Sequence, residues 1–216
     1  RKESSAASDV YKRQAFCRDR VALGALIVLL LITAASIFAP LLTPYSPVSG
    51  NPVDRLAGVG SDGHILGLDG QGRDILARLL YGGRNSLLVA VLPVAVVFPL
   101  ALLIGLFAGY RRSRAGETLM RILDVLFAFP LVLLAIALSA VLGAGLGNVM
   151  IAIAITLVPY MARVAYTATV QESAKEYVEA ARAYGANPLQ VMFREIGPNV
   201  VAQLVVYATC LLYTSD

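Results

Sequence analysis

The chain is 216 residues long, 58% hydrophobic and 15% charged, with a net charge of +4 and a mean hydropathy of +0.72. Soluble domains carry about 25% charged residues, so this composition excludes an ordinary water-soluble domain and assigns most of the chain to lipid. The basic excess flanks apolar runs, which fits a membrane topology signal and not a nucleic-acid partner.

Residues 1–14 are polar and carry no pattern that continues into the first apolar run, and residues 1–17 read as a non-native or disordered tail. Residues 21–39 hold no charge and form span one, about 20 residues being enough to cross the hydrocarbon core. Pro40, Pro44 and Pro47 end it. Residues 43–83 are polar and rich in Gly and Pro, and read as mostly loop with a short helix near the end. Residues 85–110 are free of charge and form span two, with Pro93 and Pro99 predicting a kinked, packed helix. Span three is expected over 118–142 and span four over 149–168, joined by a Gly-rich turn at 143–148. Residues 198–213 begin span five, with Pro198 in its first turn. Residues 210–216 break off an apolar helix and read as a second non-native end. The domain plan is a first span with its loop (18–83) and a membrane core (84–213) containing a polar loop at 169–198.

Orientation follows from Lys and Arg. With residues 1–14 set aside, ten basic residues fall on the side of the N-terminus, of 111–121 and of 163–194, against Arg55, Arg73, Arg78 and Arg84 on the other. The first side is therefore expected to be cytoplasmic. Arg121 and Asp124, at i,i+3 near the start of span three, are expected to form a local ion pair or to snorkel, and Arg163 is read the same way.

The polar loop between spans four and five is the most informative stretch. Its first half is rich in Ala and Glu and favours helix, with Lys175 spaced to pair with Glu179 and Glu179 with Arg182. Gly185 can take the left-handed conformation that ends a helix. Asn187 can cap a second helix with Pro188 at its first position. Leu189, Met192, Phe193 and Ile196 give that second helix an apolar stripe. Such a knuckle needs either the membrane surface or a partner protein to cover its stripe.

Glu179-Ala180-Ala181, three residues, Gly185, then Ile196 and Pro198 resembles the EAA signature of bacterial ABC importer permeases. The resemblance implies that this segment, Pro188 included, forms coupling helices docked into a cleft of an ATPase subunit. Gly197 departs from the Leu usual before the proline. A second stretch, 66–87, with Gly67, Asp69, Gly72, Arg73, Asp74, Arg78, Gly82 and Arg84, is similar to the segment before span two in second-permease subunits of the dipeptide, oligopeptide and nickel group. Leu68 and Ala77 depart from the Thr and Ser common there. Read physically, Gly72-Arg73-Asp74 is a turn with a charge pair, and Ile75, Leu76, Leu79 and Leu80 form an apolar face at the outer membrane surface, either an interfacial anchor or a contact for a solute-binding protein.

The resemblance implies an all-α, polytopic transmembrane bundle of the type I ABC importer permease fold, with about five spans present and a sixth missing. It further implies a multi-pass subunit of a bacterial or archaeal cytoplasmic membrane with a cytoplasmic N-terminus. Expected partners are a second permease subunit, two ATP-binding subunits, an extracytoplasmic solute-binding protein and lipid.

No phosphate-binding loop is present, so ATP and Mg are expected on the partner ATPases and no cofactor on this chain. No nucleophile with a positioned base stands out, and His64 reads as a loop residue. Cys17 and Cys210 lack metal-ligand neighbours and read as buried thiols. The chain is therefore not read as an enzyme. A secondary transporter would need an ionisable site near the midplane and inverted repeats; neither is evident. A scaffold without a pathway would explain the spans but not the capped helix pair.

Overall fold

The computed structural model describes residues 19–111 and 113–214. The expected N-terminal tail, Cys17, Arg112 and the last two residues of the expected non-native end lie outside them. The described residues are all-α, with a single isolated bridge between Leu68 and Asp74 and no strand. Contacts divide the chain into two compact units at Leu87/Leu88.

In the first unit, helix α1 (Arg20–Ile37) starts where the Asp19 carboxylate accepts from the amides of Val21 and Ala22, at 3.0 and 3.2 Å. It is apolar around its whole circumference and buries only Ser36, as a helix facing lipid or other chains does. A short helix α2 (Ala39–Leu42) follows, with Pro40 in its first turn, where a missing amide costs nothing. Helix α3 (Ile75–Arg111) begins in this unit, has its residues from Leu88 onward in the second, and runs for 37 residues. The short helix expected before span two and span two itself are thus one element, unbroken at residues 83 and 84, where the sequence suggested a boundary. Gly83 lies against α1: a Cβ there would meet the Ser36 hydroxyl oxygen at 2.4 Å. Pro93 and Pro99 sit inside α3 without interrupting it.

The second unit is organised around helix α6 (Leu146–Ser173), against which α4 (Arg114–Phe127), α5 (Leu131–Leu142) and α9 (Gly197–Thr214) pack. The C-terminal half of α3 also meets α6 closely. Gly105 and Gly109 face Ala165, Tyr166 and Thr169, and a Cβ on Gly105 would lie 2.4 Å from that of Ala165. This is the small-residue approach by which membrane helices gain dispersion contact. Leu106, Met161, Ile196 and Leu204 are the largest fully buried side chains of the core.

Two expectations about spans are corrected. Span three is two helices, α4 and α5, meeting at 87°. The cause is local: Pro130 lacks the amide that would continue α4, and its ring pushes Phe129 away from helical backbone. Among the described residues, three helices are long and apolar enough to cross a membrane, or four if the bent pair is one span, and the 18-residue α9 stands where the fifth span was expected to begin. The helix expected as span five does not begin at Pro198; α9 continues directly from a helical segment before it. The Gly turn between α5 and α6 is as expected, Gly143 and Gly145 having positive φ while the Asn148 side-chain amide donates to the Leu142 carbonyl at 2.7 Å. Cys210 is exposed on this chain and not buried.

Candidate functional site

The knuckle follows α6 after a two-residue break at Ala174 and Lys175. Helix α7 (Glu176–Ala183) stops through two hydrogen bonds set by chain geometry: the Gly185 amide donates to the Arg182 carbonyl at 3.0 Å, and the Ala186 amide to the Ala181 carbonyl at 3.1 Å. This double closure is the Schellman arrangement, and it requires a left-handed residue, which Gly185 supplies with φ +78°. Ala181 and Ala186 are half-buried against the core, as the apolar contact of that arrangement expects. The spacing from Ala181 to Gly185 thus has a local physical meaning.

The chain restarts at once. The Asn187 side chain accepts from the Leu189 amide at 3.2 Å, and the Gln190 side chain accepts from the Asn187 amide at 3.3 Å, a reciprocal cap with Pro188 in the first position of α8 (Pro188–Gln190). One π-helical segment, Val191–Ile196, carries α8 into α9. Its wider turn has a cause in Pro198, which has no amide for the Arg194 carbonyl and would press its ring on it. The Gly197 amide instead reaches the Met192 carbonyl. A Cβ at Gly197 would meet that carbonyl oxygen at 3.3 Å, which makes glycine a comfortable occupant where the resembling family carries Leu.

The apolar stripe is divided. Val191, Met192 and Ile196 are buried in the chain's own core, while Leu189 and Phe193 remain exposed. Phe193 touches the Phe107 ring edge-on at 6.2 Å. Tyr184 is 91% exposed at the tip of the knuckle. Glu179, Ala180, Gly185, Pro188 and Pro198 are exposed as well, and Ile196 is fully buried.

Two ion pairs expected from spacing are replaced. Lys175 donates to Glu172, one turn back on α6, at 2.6 Å, instead of to Glu179. The Arg182 guanidinium lies over the Tyr110 ring, 5.0 Å from its centroid, instead of pairing with Glu179. Glu172, not singled out from sequence, is 3% exposed. It also accepts from the Tyr177 hydroxyl at 2.7 Å, and that hydroxyl accepts from the Asn199 side-chain amide at 3.1 Å. Burial, reinforced by the Glu172 carboxylate, pushes the Tyr177 hydroxyl up to about 12, so it stays a neutral donor. The signal that could have pointed here is an acidic side chain at the end of a largely apolar helix, five residues before a tyrosine.

Within the second unit, Asp124 of α4 pairs with Arg163 of α6, and not with Arg121 in its own helix. At i,i+3 the shorter Asp side chain has a neighbour, but the packed α6 offers a better one.

The second motif folds one loop of the first unit. Asp69 is its hub, accepting from the Gln71 amide at 2.8 Å, the Arg73 amide at 3.0 Å, the Arg73 guanidinium at 3.1 Å and that of Arg78. The Arg73 amide leads the effects that hold its carboxyl down at about 2, with the Gln71 amide and both guanidinium groups adding to it against some burial. Asp74 does not pair with Arg73 as expected. Its Oδ1 accepts from the Ala77 amide at 2.6 Å, starting α3, and its Oδ2 meets His64 Nδ1 at 2.8 Å. His64 also stacks on Tyr45, centroids 4.2 Å apart. Gly72, at φ +73°, admits the Asn51 carbonyl so closely that a Cβ would sit 1.9 Å from its oxygen. Gly67 is left-handed too, whereas Gly82 and Arg84 lie outside this loop, exposed on α3. Tyr45, Asn51, Asp54, His64 and Asp74 line a cleft of about 310 Å³ beside it. Among the described residues no cluster of three metal-ligating side chains occurs.

Comparison with known proteins identifies the family. The family described as binding-protein-dependent transport system inner membrane component matches residues 101–212, which include the whole knuckle. The N-terminal TM domain of oligopeptide transport permease C matches residues 9–58. The chain is 41% identical over 202 residues to the di/tripeptide transport system permease protein DppC of Pseudomonas aeruginosa, covering 91% of this chain and 66% of that protein. It is 41% identical to the glutathione transport system permease protein GsiD of Pectobacterium atrosepticum, covering 89% of this chain and 64% of that one. It is 38% identical to the dipeptide transport system permease protein DppC of Alkalihalophilus pseudofirmus, with coverages of 89% and 63%. The chain thus spans just under two thirds of the length of these relatives.

Proposed function

Since the chain belongs to the family of binding-protein-dependent transport system inner membrane components, we propose that it is a multi-pass permease subunit of an ATP-driven importer for short peptides or peptide-like solutes. The relatives' names support dipeptides, tripeptides or glutathione as cargo. Nickel chelates, which the resemblance also allowed, draw no support from those names. The pathway lies between this subunit and a second permease. Two cytoplasmic ATP-binding subunits supply the energy and hold ATP and Mg, and a solute-binding protein delivers cargo to the side of the loop at 43–74. The N-terminus lies in the cytoplasm, in keeping with the basic residues at 111–121 and 163–194.

The observation that carries this reading is the knuckle itself. Its two helices are closed by caps on both sides of Gly185, yet Tyr184 and Leu189 are left uncovered. A rigid, protruding, partly apolar corner is the shape a separate subunit can grip and move as a body. Glu179, Ala180, Ala181, Gly185, Pro188, Ile196 and Pro198 build this corner, the first two on its surface and Ile196 as its root.

The test uses the complete transporter in a cysteine-free background with Tyr184→Cys. A short crosslinker from position 184 is expected to capture an ATP-hydrolysing subunit. Labelling of that cysteine in intact cells by a membrane-impermeant reagent, or no capture in the assembled transporter, would overturn the reading. Competition of uptake by dipeptides, glutathione and nickel chelates tests the cargo.

A further inference from the structure

The Glu172, Tyr177 and Asn199 side chains join three elements. Glu172 is the last buried side chain of α6, Tyr177 belongs to the first turn of α7, and Asn199 to the first turn of α9. The links are 2.7 Å from Tyr177 to Glu172 and 3.1 Å from Asn199 to Tyr177, with a second Asn199 bond to the Glu195 carbonyl at 3.1 Å. Lys175 covers the other carboxylate oxygen at 2.6 Å. A buried carboxylate is expensive unless every oxygen is satisfied, and here both are. An apolar contact could hold α7 on the core just as firmly, but it would let the elements slide. A fully satisfied polar joint has one geometry.

We propose that Glu172, Tyr177 and Asn199 are positioning residues that lock α7 to α6 and α9, so that displacement of the knuckle moves both helices together. The inference rests on the proposed role of the knuckle and adds the device that carries its motion into the membrane helices. Val178, Val191 and Ile196 supply the adhesion beneath the knuckle, and the polar joint supplies the register. Deleting the Tyr177 hydroxyl alone keeps the ring and its packing but cuts the link between Glu172 and Asn199.

The experiment measures solute uptake and ATP hydrolysis together, on the complete transporter in proteoliposomes, for Tyr177→Phe, Glu172→Gln and Glu172→Ala. Tyr177→Phe is expected to assemble normally and hydrolyse ATP within about twofold of the native rate, while uptake per ATP falls at least about fivefold. Glu172→Gln, which can still accept from Tyr177, is expected to retain more of the native ratio than Glu172→Ala. Equal loss of uptake and hydrolysis, or an unchanged ratio in Tyr177→Phe, would overturn the inference. The two readings separate cleanly. If Gly185→Val abolishes uptake and Tyr177→Phe keeps the native ratio, only the joint is wrong; if Gly185→Val transports normally, the knuckle reading is wrong.

Discussion

The Ala186 amide closes on the Ala181 carbonyl at 3.1 Å, across a Gly185 held at φ +78°. Nothing lies within 4 Å of where a Gly185 side chain would begin, so a substitution there meets backbone strain alone. Gly185→Ala is expected to destabilise the knuckle by about 1–2 kcal/mol, and the β-branched Gly185→Val by more. Hydrogen exchange of the amides of residues 184–190 in the detergent-solubilised protein checks this: their protection should fall while that of α6 is kept.

Gly105 differs from Gly185 in kind, because its conformation is ordinary and its space is not. With the Ala165 Cβ 2.4 Å and backbone 2.6 Å from the position a side chain would take, Gly105→Val must push α3 from α6. A loss of about 1–3 kcal/mol is expected from such overpacking. Gly24→Ala, with nothing within 4 Å, should be neutral or slightly stabilising, since Ala is the better helix former. A thermal scan of the two variants side by side should show a lowered midpoint for Gly105→Val only.

The Asp69 hub makes the loop of the first unit sensitive to acid. Its carboxyl is held at about 2, below the ordinary 3.8, so its contribution is complete above the ordinary value and is lost as pH falls from about 3.8 towards 2. Limited proteolysis of residues 50–74 should therefore accelerate over that window. Asp69→Asn should cleave faster at neutral pH and lose this acid step; an unchanged step in the variant would assign it to another carboxylate.

The cross-helix pair of Asp124 and Arg163 joins exposed side chains of α4 and α6, and pairs of that kind contribute about 0–1 kcal/mol each in water. Asp124→Arg alone sets like charges together and is expected to lower the unfolding midpoint. Adding Arg163→Asp should restore most of it. The same double exchange made between Asp124 and Arg121 should not, because those two are not partners.

The knuckle was legible in the sequence because caps are local. Gly185, Asn187 and Pro188 act on amides and carbonyls two to five residues away, and those neighbours are the same in any fold. The bend at Pro130 obeys the same physics and was equally open to reading, but an uninterrupted apolar run hid it. The partners of the charged groups were not legible. Lys175, Arg182, Arg73 and Asp124 each had a suitably spaced neighbour in sequence, and each took another, because a long side chain chooses among all groups that packing brings within reach.

By itself the sequence determined that the chain is helical, that its apolar runs belong in a membrane, and where the helices around Gly185 stop and start. These follow from hydropathy and from bonds that close within one turn. Tertiary structure alone decided that α3 meets α6 at Gly105, that Asp124 finds Arg163, and that Glu172 is buried and satisfied by Tyr177 and Lys175. Those outcomes depend on which surfaces approach each other, and no spacing along the chain contains that distance.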